Sequence, residues 1–393
     1  MEAKDWSFIL NHLGEDRENY FNAVSPPIIQ SSNFAFRNVE HFRESISDEM
    51  EHTIYTRGVN PSVNILRKKL AALEGTEDAL IFSSGSAAIA AAMMSQLASG
   101  DHVVCVKSPY SWTHSLLTKY LTRFGVTTDF VDGTKLESIE EAIRANTKIL
   151  YLESPNTFYF ELQDLEACTR IARKHGLVTM IDNSFASPVL QNPADFGIDL
   201  VIHSATKYLN GHSDVVAGVV CGSKKLIKQI FENEYMTLGP IISPADATLV
   251  TRGLRTLLLR VHKSSESGQE IANWLAELNC VSAISYPFHP THPQYELAIK
   301  QMRGGGGLIT CYFKSDSKAQ MQSFIDSLKM FLIAVSWGGH ESLVMPAVAF
   351  HDVKNRPDSA YPIHMVRFYI GLEDPKLLMK DIENALHIAK LWS

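Results

Sequence analysis

Lys207 stands in the run Asp199-Leu-Val-Ile-His-Ser-Ala-Thr-Lys-Tyr-Leu-Asn-Gly-His-Ser213. The apolar residues Leu200 to Ile202 pass into small hydroxyl residues, a lysine and a Gly-containing turn, which is how a core strand empties into a polar loop. A lysine at that point is desolvated on one side. Desolvation disfavours its charged form and leaves a free amine for Schiff-base chemistry. Ser204 and Thr206 suit a phosphate oxygen, although a lysine that merely caps a strand at the surface fits the local pattern too. Other residue types with chemical capacity lie at comparable points. Asp182 ends the apolar run Val178-Thr-Met-Ile181; a carboxylate there needs a protonated ring nitrogen, another cation or a backbone cap. Ser83-Ser-Gly85-Ser86-Ala-Ala88 joins a strand to a helical run, and the first N–H groups of such a helix point outward at an anion or at a capping side chain. Glu153 closes another apolar run. Arg57 follows Tyr55 in a Gly/Pro turn, where it either clamps an anion or is solvated. Arg367 interrupts the apolar His-Met-Val-Arg-Phe-Tyr-Ile segment, either on an exposed edge or forking a carboxylate. The glycines of Ser336-Trp337-Gly-Gly let backbone approach a ligand, and Gly304 to Gly307 reads as a flexible turn. The histidines show no metal-ligand spacing.

Positioning these residues requires alternating elements. Helical spacing covers Ser62 to Gly75, and strands read at Ala79 to Ser84, His102 to Val106, Val126 to Val131, Lys148 to Glu153, Leu177 to Ile181 and up to Ser204. Helices fall between them, including Thr113 to Phe124, Leu136 to Ala145 and Asp164 to His175. This pattern predicts a mostly parallel sheet covered on both faces, with ligands beyond the carboxyl ends of the strands. Ser84, Glu153, Asp182 and Lys207 all lie at such ends and are expected to share one site. A long helical stretch, Ala245 to Leu278, with an expected break at Gly253, bridges to an α+β unit. Its expected strands are Val281 to Tyr286, Leu308 to Phe313, Phe331 to Ser336 and Met365 to Ile370, with helices Ala319 to Leu328 and Pro375 to Leu391. The expected division is an irregular N-terminal arm at 1–57 that is functional or packs on a partner, an α/β unit at 58–250 and an α+β unit at 251–393. Within the arm only Val39 to Asp48 reads as helix.

The 393 residues are 45% hydrophobic, enough for a sizeable core, and the net charge of −7 gives no reason to expect a nucleic acid or anionic membrane as partner. Five scattered cysteines without a C-x-x-C pair fit reduced core residues and a cytoplasmic setting. The start Met1-Glu-Ala-Lys-Asp-Trp-Ser lacks a signal-peptide pattern, and no apolar run is long enough to span a bilayer.

With these residues in place, the chain resembles the Cys/Met-metabolism family of pyridoxal-phosphate enzymes, from about Val24 to the C-terminus. The stretch around Lys207 looks like that family's cofactor-lysine signature throughout. The resemblance implies an aspartate-aminotransferase-like, fold type I architecture, a small amino-acid substrate and a homotetramer built of active dimers. It makes Lys207 the Schiff-base lysine and Asp182 the partner of the pyridine nitrogen. Gly85, Ser86, Ser204 and Thr206 would bind the phosphate, and Tyr55 and Arg57 would reach the phosphate of a neighbouring subunit. Tyr110 would stack on the ring and is a candidate acid/base; Glu153 lies in the matching Glu-Ser-Pro turn. Arg367 and Ser336 match the groups around the substrate carboxylate. Ser336-Trp337-Gly-Gly-x-Glu-Ser-Leu looks like bacterial cystathionine β-lyases, because γ-type members more often carry Leu at the position of Trp337. Ser86 replaces a common Met and Trp112 stands where methionine γ-lyases carry Cys, which disfavours that activity. The expectation is therefore a β-elimination giving homocysteine, pyruvate and ammonia from cystathionine, with a cystathionine γ-synthase or γ-lyase as alternatives. Two other classes compete. A nicotinamide-dependent dehydrogenase would need G-x-G-x-x-G after a strand, which is missing, and a non-catalytic binding protein would have no use for Lys207, Asp182 and Arg367 together.

Overall fold

The computed structural model describes residues 5–354 and 359–392; residues 1–4, which entered the reading of the N-terminus and begin the expected arm, lie outside this range. Strands β1 (Asp78–Phe82), β2 (His102–Val106), β3 (Thr127–Val131), β4 (Thr147–Glu153), β5 (Val178–Asp182), β6 (Leu200–Ser204) and β7 (Gly218–Gly222) form one sheet in the order β1-β7-β6-β5-β4-β2-β3. Neighbours from β6 to β3 pair in parallel, and β7 runs antiparallel to both β1 and β6. The near-continuous apolar strands are buried because both faces are covered. The helix Pro61–Glu74 and the helix Leu165–His175 bury Leu66, Leu70, Leu73 and Leu165 with one face, while the helix Gly85–Met94 buries Ala88, Ile89 and Ala92 with the other. This is an α/β fold of the expected kind.

A second sheet contains β8 (Val281–Ser285), β9 (Leu308–Phe313), β10 (Leu332–Ile333), β11 (Leu343–Pro346) and β12 (Met365–Tyr369), in the order β10-β11-β12-β9-β8. The helices Leu257–Glu277, Lys318–Ser327 and Pro375–Ile388 contribute Ile271, Phe324 and Ile382 to its core.

Several elements differ from the periodicity. The expected strand through Ser336 shrinks to Leu332–Ile333, because the chain leaves the sheet to reach Ser336, which sits at a left-handed φ of 79°. Its partner β11, hidden among Gly and Pro, was not anticipated. The long helix is two helices, Pro244–Leu254 and Leu257–Glu277, with the break two residues after Gly253. Gly253 is there for contact: a Cβ on it would come within 2.1 Å of the Asn210 carbonyl oxygen. The expected helix 113–124 is a short α-helix, Ser111–Ser115, followed by a π turn and a 3₁₀ turn.

The arm also holds an unanticipated helix, Trp6–Asn11. The fully buried Lys69 amine donates to the carbonyls of Ile9 (3.0 Å) and Leu10 (3.1 Å) and pairs with the buried Glu15 carboxylate at 3.2 Å. Arg17 at 2.7 Å and Arg255 at 3.5 Å also pair with Glu15. Further on, Asn60 donates to the Ile29 carbonyl and Ser62 accepts the Ile29 amide, both at 2.9 Å. Between these anchors Phe21 and Val24 project into solvent. Among the described residues, no helix is long and apolar enough to cross a membrane.

Candidate active site

The carboxyl ends of β4, β5 and β6 and the start of the helix Gly85–Met94 meet the second sheet around a cavity of about 810 Å³. Gly85, Ser86, Tyr110, Glu153, Asp182, Ser204, Thr206, Lys207, Ser336 and Arg367 all line it. Tyr55 and Arg57 do not. They lie on the exposed surface of their own chain, the Arg57 guanidinium 5.3 Å from the centre of the Tyr55 ring. Gly304 to Gly307 also stays outside the cavity and packs on Tyr208 and Tyr286.

Lys207 follows β6 by three residues. Its amine donates to the Ser336 hydroxyl and lies 5.6 Å from the centre of the Trp337 ring. Burial, reinforced by the positive charge of Arg367 and opposed by Asp182, pulls the lysine down to about 8. Ser336 links two cations through different atoms, since its carbonyl accepts from Arg367 at 3.1 Å. The left-handed backbone at Ser336 makes this double use possible.

Arg367 on β12 is buried, and its guanidinium lies 5.0 Å from the centre of the Phe158 ring. Burial lowers it to about 10. No carboxylate among the described residues stands within ion-pairing distance of it. A buried guanidinium without a counter-ion is costly, and an incoming carboxylate would relieve that cost.

Asp182 is the complementary case. Its carboxylate is buried, accepts the Ser184 amide at 2.9 Å and has no cation within ion-pairing distance among the described residues. Burial raises it, against the bonds from Ser184 and the charge of Lys207. Glu153, beside it in the sheet register, is raised to about 8 by burial first and by Asp182 second. Both Glu153 oxygens are occupied, one by the Tyr110 amide and the other by the Thr157 hydroxyl, each at 2.6 Å. Glu153 thus holds the turn that presents Tyr110, and burial beside Asp182 pushes both carboxyls upward.

An anion cradle lies at the other end. Ser84 caps the helix by accepting the Ala87 amide, while the amides of Gly85 and Ser86 have no acceptor among the described residues. A Cβ on Gly85 would meet the Ser204 Cβ at 2.9 Å, so glycine brings the helix start onto the strand end. The Ser204 hydroxyl has no hydrogen-bond partner among the described residues. Thr206 is partly committed, its hydroxyl accepting the Ala217 amide at 2.9 Å.

Ser184 was absent from the sequence reading. Its hydroxyl accepts the Ser204 amide at 2.7 Å while its own amide holds Asp182, so it joins the carboxylate to the cradle. Only its place two residues after Asp182 marked it.

A phosphate fits the free amides and hydroxyls, a protonated ring nitrogen fits Asp182, an aldehyde fits the Lys207 amine, whose lowered value favours its neutral form, and Tyr110 borders the space between them. These are the demands of pyridoxal 5′-phosphate, and fold and site together define an enzyme of the fold type I class that uses it. The chain belongs to the Cys/Met metabolism PLP-dependent enzyme family, whose model matches residues 8–387. It is 38% identical over 382 residues to the L-methionine gamma-lyase of Treponema denticola, covering 95% of both chains. It is 36% identical over 382 residues to the cystathionine beta-lyase of Lactococcus lactis, covering 95% of this chain and 97% of that one. The crystal structure of metB from Corynebacterium glutamicum superposes with a TM-score of 0.91 at 33% identity, over 98% of each chain. The protein is a pyridoxal-phosphate-dependent enzyme of carbon–sulfur lyase type.

Proposed function

We propose that the enzyme cleaves the Cβ–S bond of a thioether amino acid of the cystathionine kind, which with one water yields a thiol, pyruvate and ammonia. The carrying observation is the thread Lys207–Ser336–Arg367 with Trp337 against the lysine amine. It supports a base held near the group that would take the substrate carboxylate, with Trp337, the residue on which the resemblance to β-lyases rests, beside it.

Arg367 would take the substrate carboxylate, with Ser336 at its side, and so orient the Cα–H bond toward Lys207. The bound cofactor supplies an electron sink for the charge that develops at Cα. Lys207, lowered to about 8, accepts the Cα proton as a neutral amine at Nζ. Burial raises the Tyr110 phenol, so it remains protonated and can protonate the departing sulfur. Asp182 would hold the ring nitrogen protonated. Gly85, Ser86, Ser204 and Thr206 would hold the phosphate, and Tyr55 and Arg57, exposed on their own chain, would complete the site of a neighbouring copy. A cytoplasmic homotetramer of active dimers goes with this reading, as does the division into units 1–57, 58–250 and 251–393, which is supported by the two separate sheets.

A second reading, γ-elimination to 2-oxobutyrate, is favoured by the similarity to enzymes described as methionine and cystathionine gamma-lyases. Supplying cystathionine and identifying the keto acid separates the two. Pyruvate is expected; 2-oxobutyrate would replace the first reading by the second, and consumption of an O-acylhomoserine with cysteine would indicate a synthase.

A further inference from the structure

Tyr361 lies between the 3₁₀ turn Ala347–Phe350 and β12, in a stretch without periodic pattern, and it lines the same cavity as Arg367. Its backbone is fixed at both polar groups: the carbonyl lies 2.8 Å from His351 Nε2 and the amide donates to the Ser359 hydroxyl at 3.1 Å. Its ring packs on Phe158 with centroids 4.5 Å apart and lies 5.9 Å from the Tyr159 ring. Phe158 is the residue whose ring carries the Arg367 guanidinium at 5.0 Å. One buried phenylalanine therefore sets the spacing of the arginine and the tyrosine, with Met345 Sδ at 3.7 Å closing another side of the guanidinium.

The phenol hydroxyl has no partner among the described residues, although Tyr361 is half-buried and every other polar group of the residue is satisfied. Burial raises it to about 12, so it is a protonated donor at neutral pH. An unengaged donor beside an unpaired guanidinium is suited to a ligand that accepts several hydrogen bonds at one end.

We propose that the Tyr361 hydroxyl is a second donor to the substrate α-carboxylate, alongside Arg367, with Phe158 holding the two apart at a fixed distance. The inference rests on Arg367 being the carboxylate anchor. Tyr361→Phe removes the hydroxyl and keeps the ring on Phe158, so the fold and the cofactor spectrum serve as internal controls. The probes are L-alanine, which carries the carboxylate without a leaving group, and L-alaninamide, which lacks its charge. Both are titrated into the holoenzyme and followed by the change in visible absorption. Alanine should bind roughly ten- to a hundredfold more weakly to Y361F than to the unaltered enzyme, with alaninamide unchanged. Unchanged alanine binding, or equal weakening of both probes, would overturn the role of Tyr361. Arg367→Ala separates this from the underlying reading. If R367A weakens alanine and Y361F does not, only the tyrosine's role falls; if R367A leaves alanine binding intact, the carboxylate anchor falls with it.

Discussion

Among the described residues, Asp182 and Arg367 are each buried without an opposite charge at ion-pairing distance, and Lys207, its amine lowered to about 8 by burial, feels the charge of both. Protein interiors do not leave charges in this condition without a ligand to complete them. The sign of the lysine's shift gives a direct test. A lowered value means that the neutral, nucleophilic amine predominates above about 8. Covalent capture of pyridoxal phosphate by the cofactor-free chain, followed by absorption, should therefore rise with pH and level off above about 8. A rise continuing toward 10.5, the ordinary lysine value, would show that the amine is not desolvated. The same sign makes this lysine a stability penalty that is full below about pH 8 and fades as the pH climbs toward 10.5. At this scale the sequence was informative, because a lysine, a carboxylate and small hydroxyl residues closing apolar runs are visible in one dimension. Ser184 and Tyr361 were not visible. Their importance comes from which groups their hydroxyls meet or leave unmet, and no local pattern encodes that.

At the scale of elements, the site depends on close approaches made by glycine. Gly218 on β7 would carry a Cβ only 2.2 Å from the Ser84 carbonyl oxygen and 2.8 Å from the Gly85 amide nitrogen. Both contacts are backbone, so neither can rotate away. Gly218→Ala should destabilise the protein by about 1–3 kcal/mol, as overpacking does. It should also weaken pyridoxal-phosphate binding, because the displaced atoms belong to the cradle. Thermal unfolding with and without cofactor reads both effects, and a variant with unaltered cofactor affinity would show that β7 does not set the cradle. The parallel strands of the first sheet were legible as apolar runs of the right length. The antiparallel pairing of β7 was not, since pairing direction leaves no trace in periodicity. The strand expected through Ser336 failed for a related reason: its apolar residues read as strand, while the functional left-handed turn overrode them.

At the scale of the molecule, ten of the anticipated site residues converge on one cavity and two, Tyr55 and Arg57, are exposed and do not line it. If the latter serve a neighbouring copy, a subunit lacking Arg57 and a subunit lacking Lys207 have complementary defects. Arg57→Ala and Lys207→Ala proteins, each inactive alone, should regain lyase activity when dissociated, mixed and reassembled, because some sites then receive an intact half from each. No recovery on mixing would place Arg57 outside the shared site. The amphipathic helix Val39–Ser47, which leaves Val39, Phe42 and Ile46 exposed on the arm, offers apolar surface for such a contact.

The anchors at Lys69 and at Asn60 and Ser62 give this arm a mechanical character. A strap fastened at two points can be pressed into another body and withdrawn without losing its shape, whereas a free tail must find its path anew each time. In the proposed assembly, each arm would therefore meet its neighbour along a path already set by its own subunit.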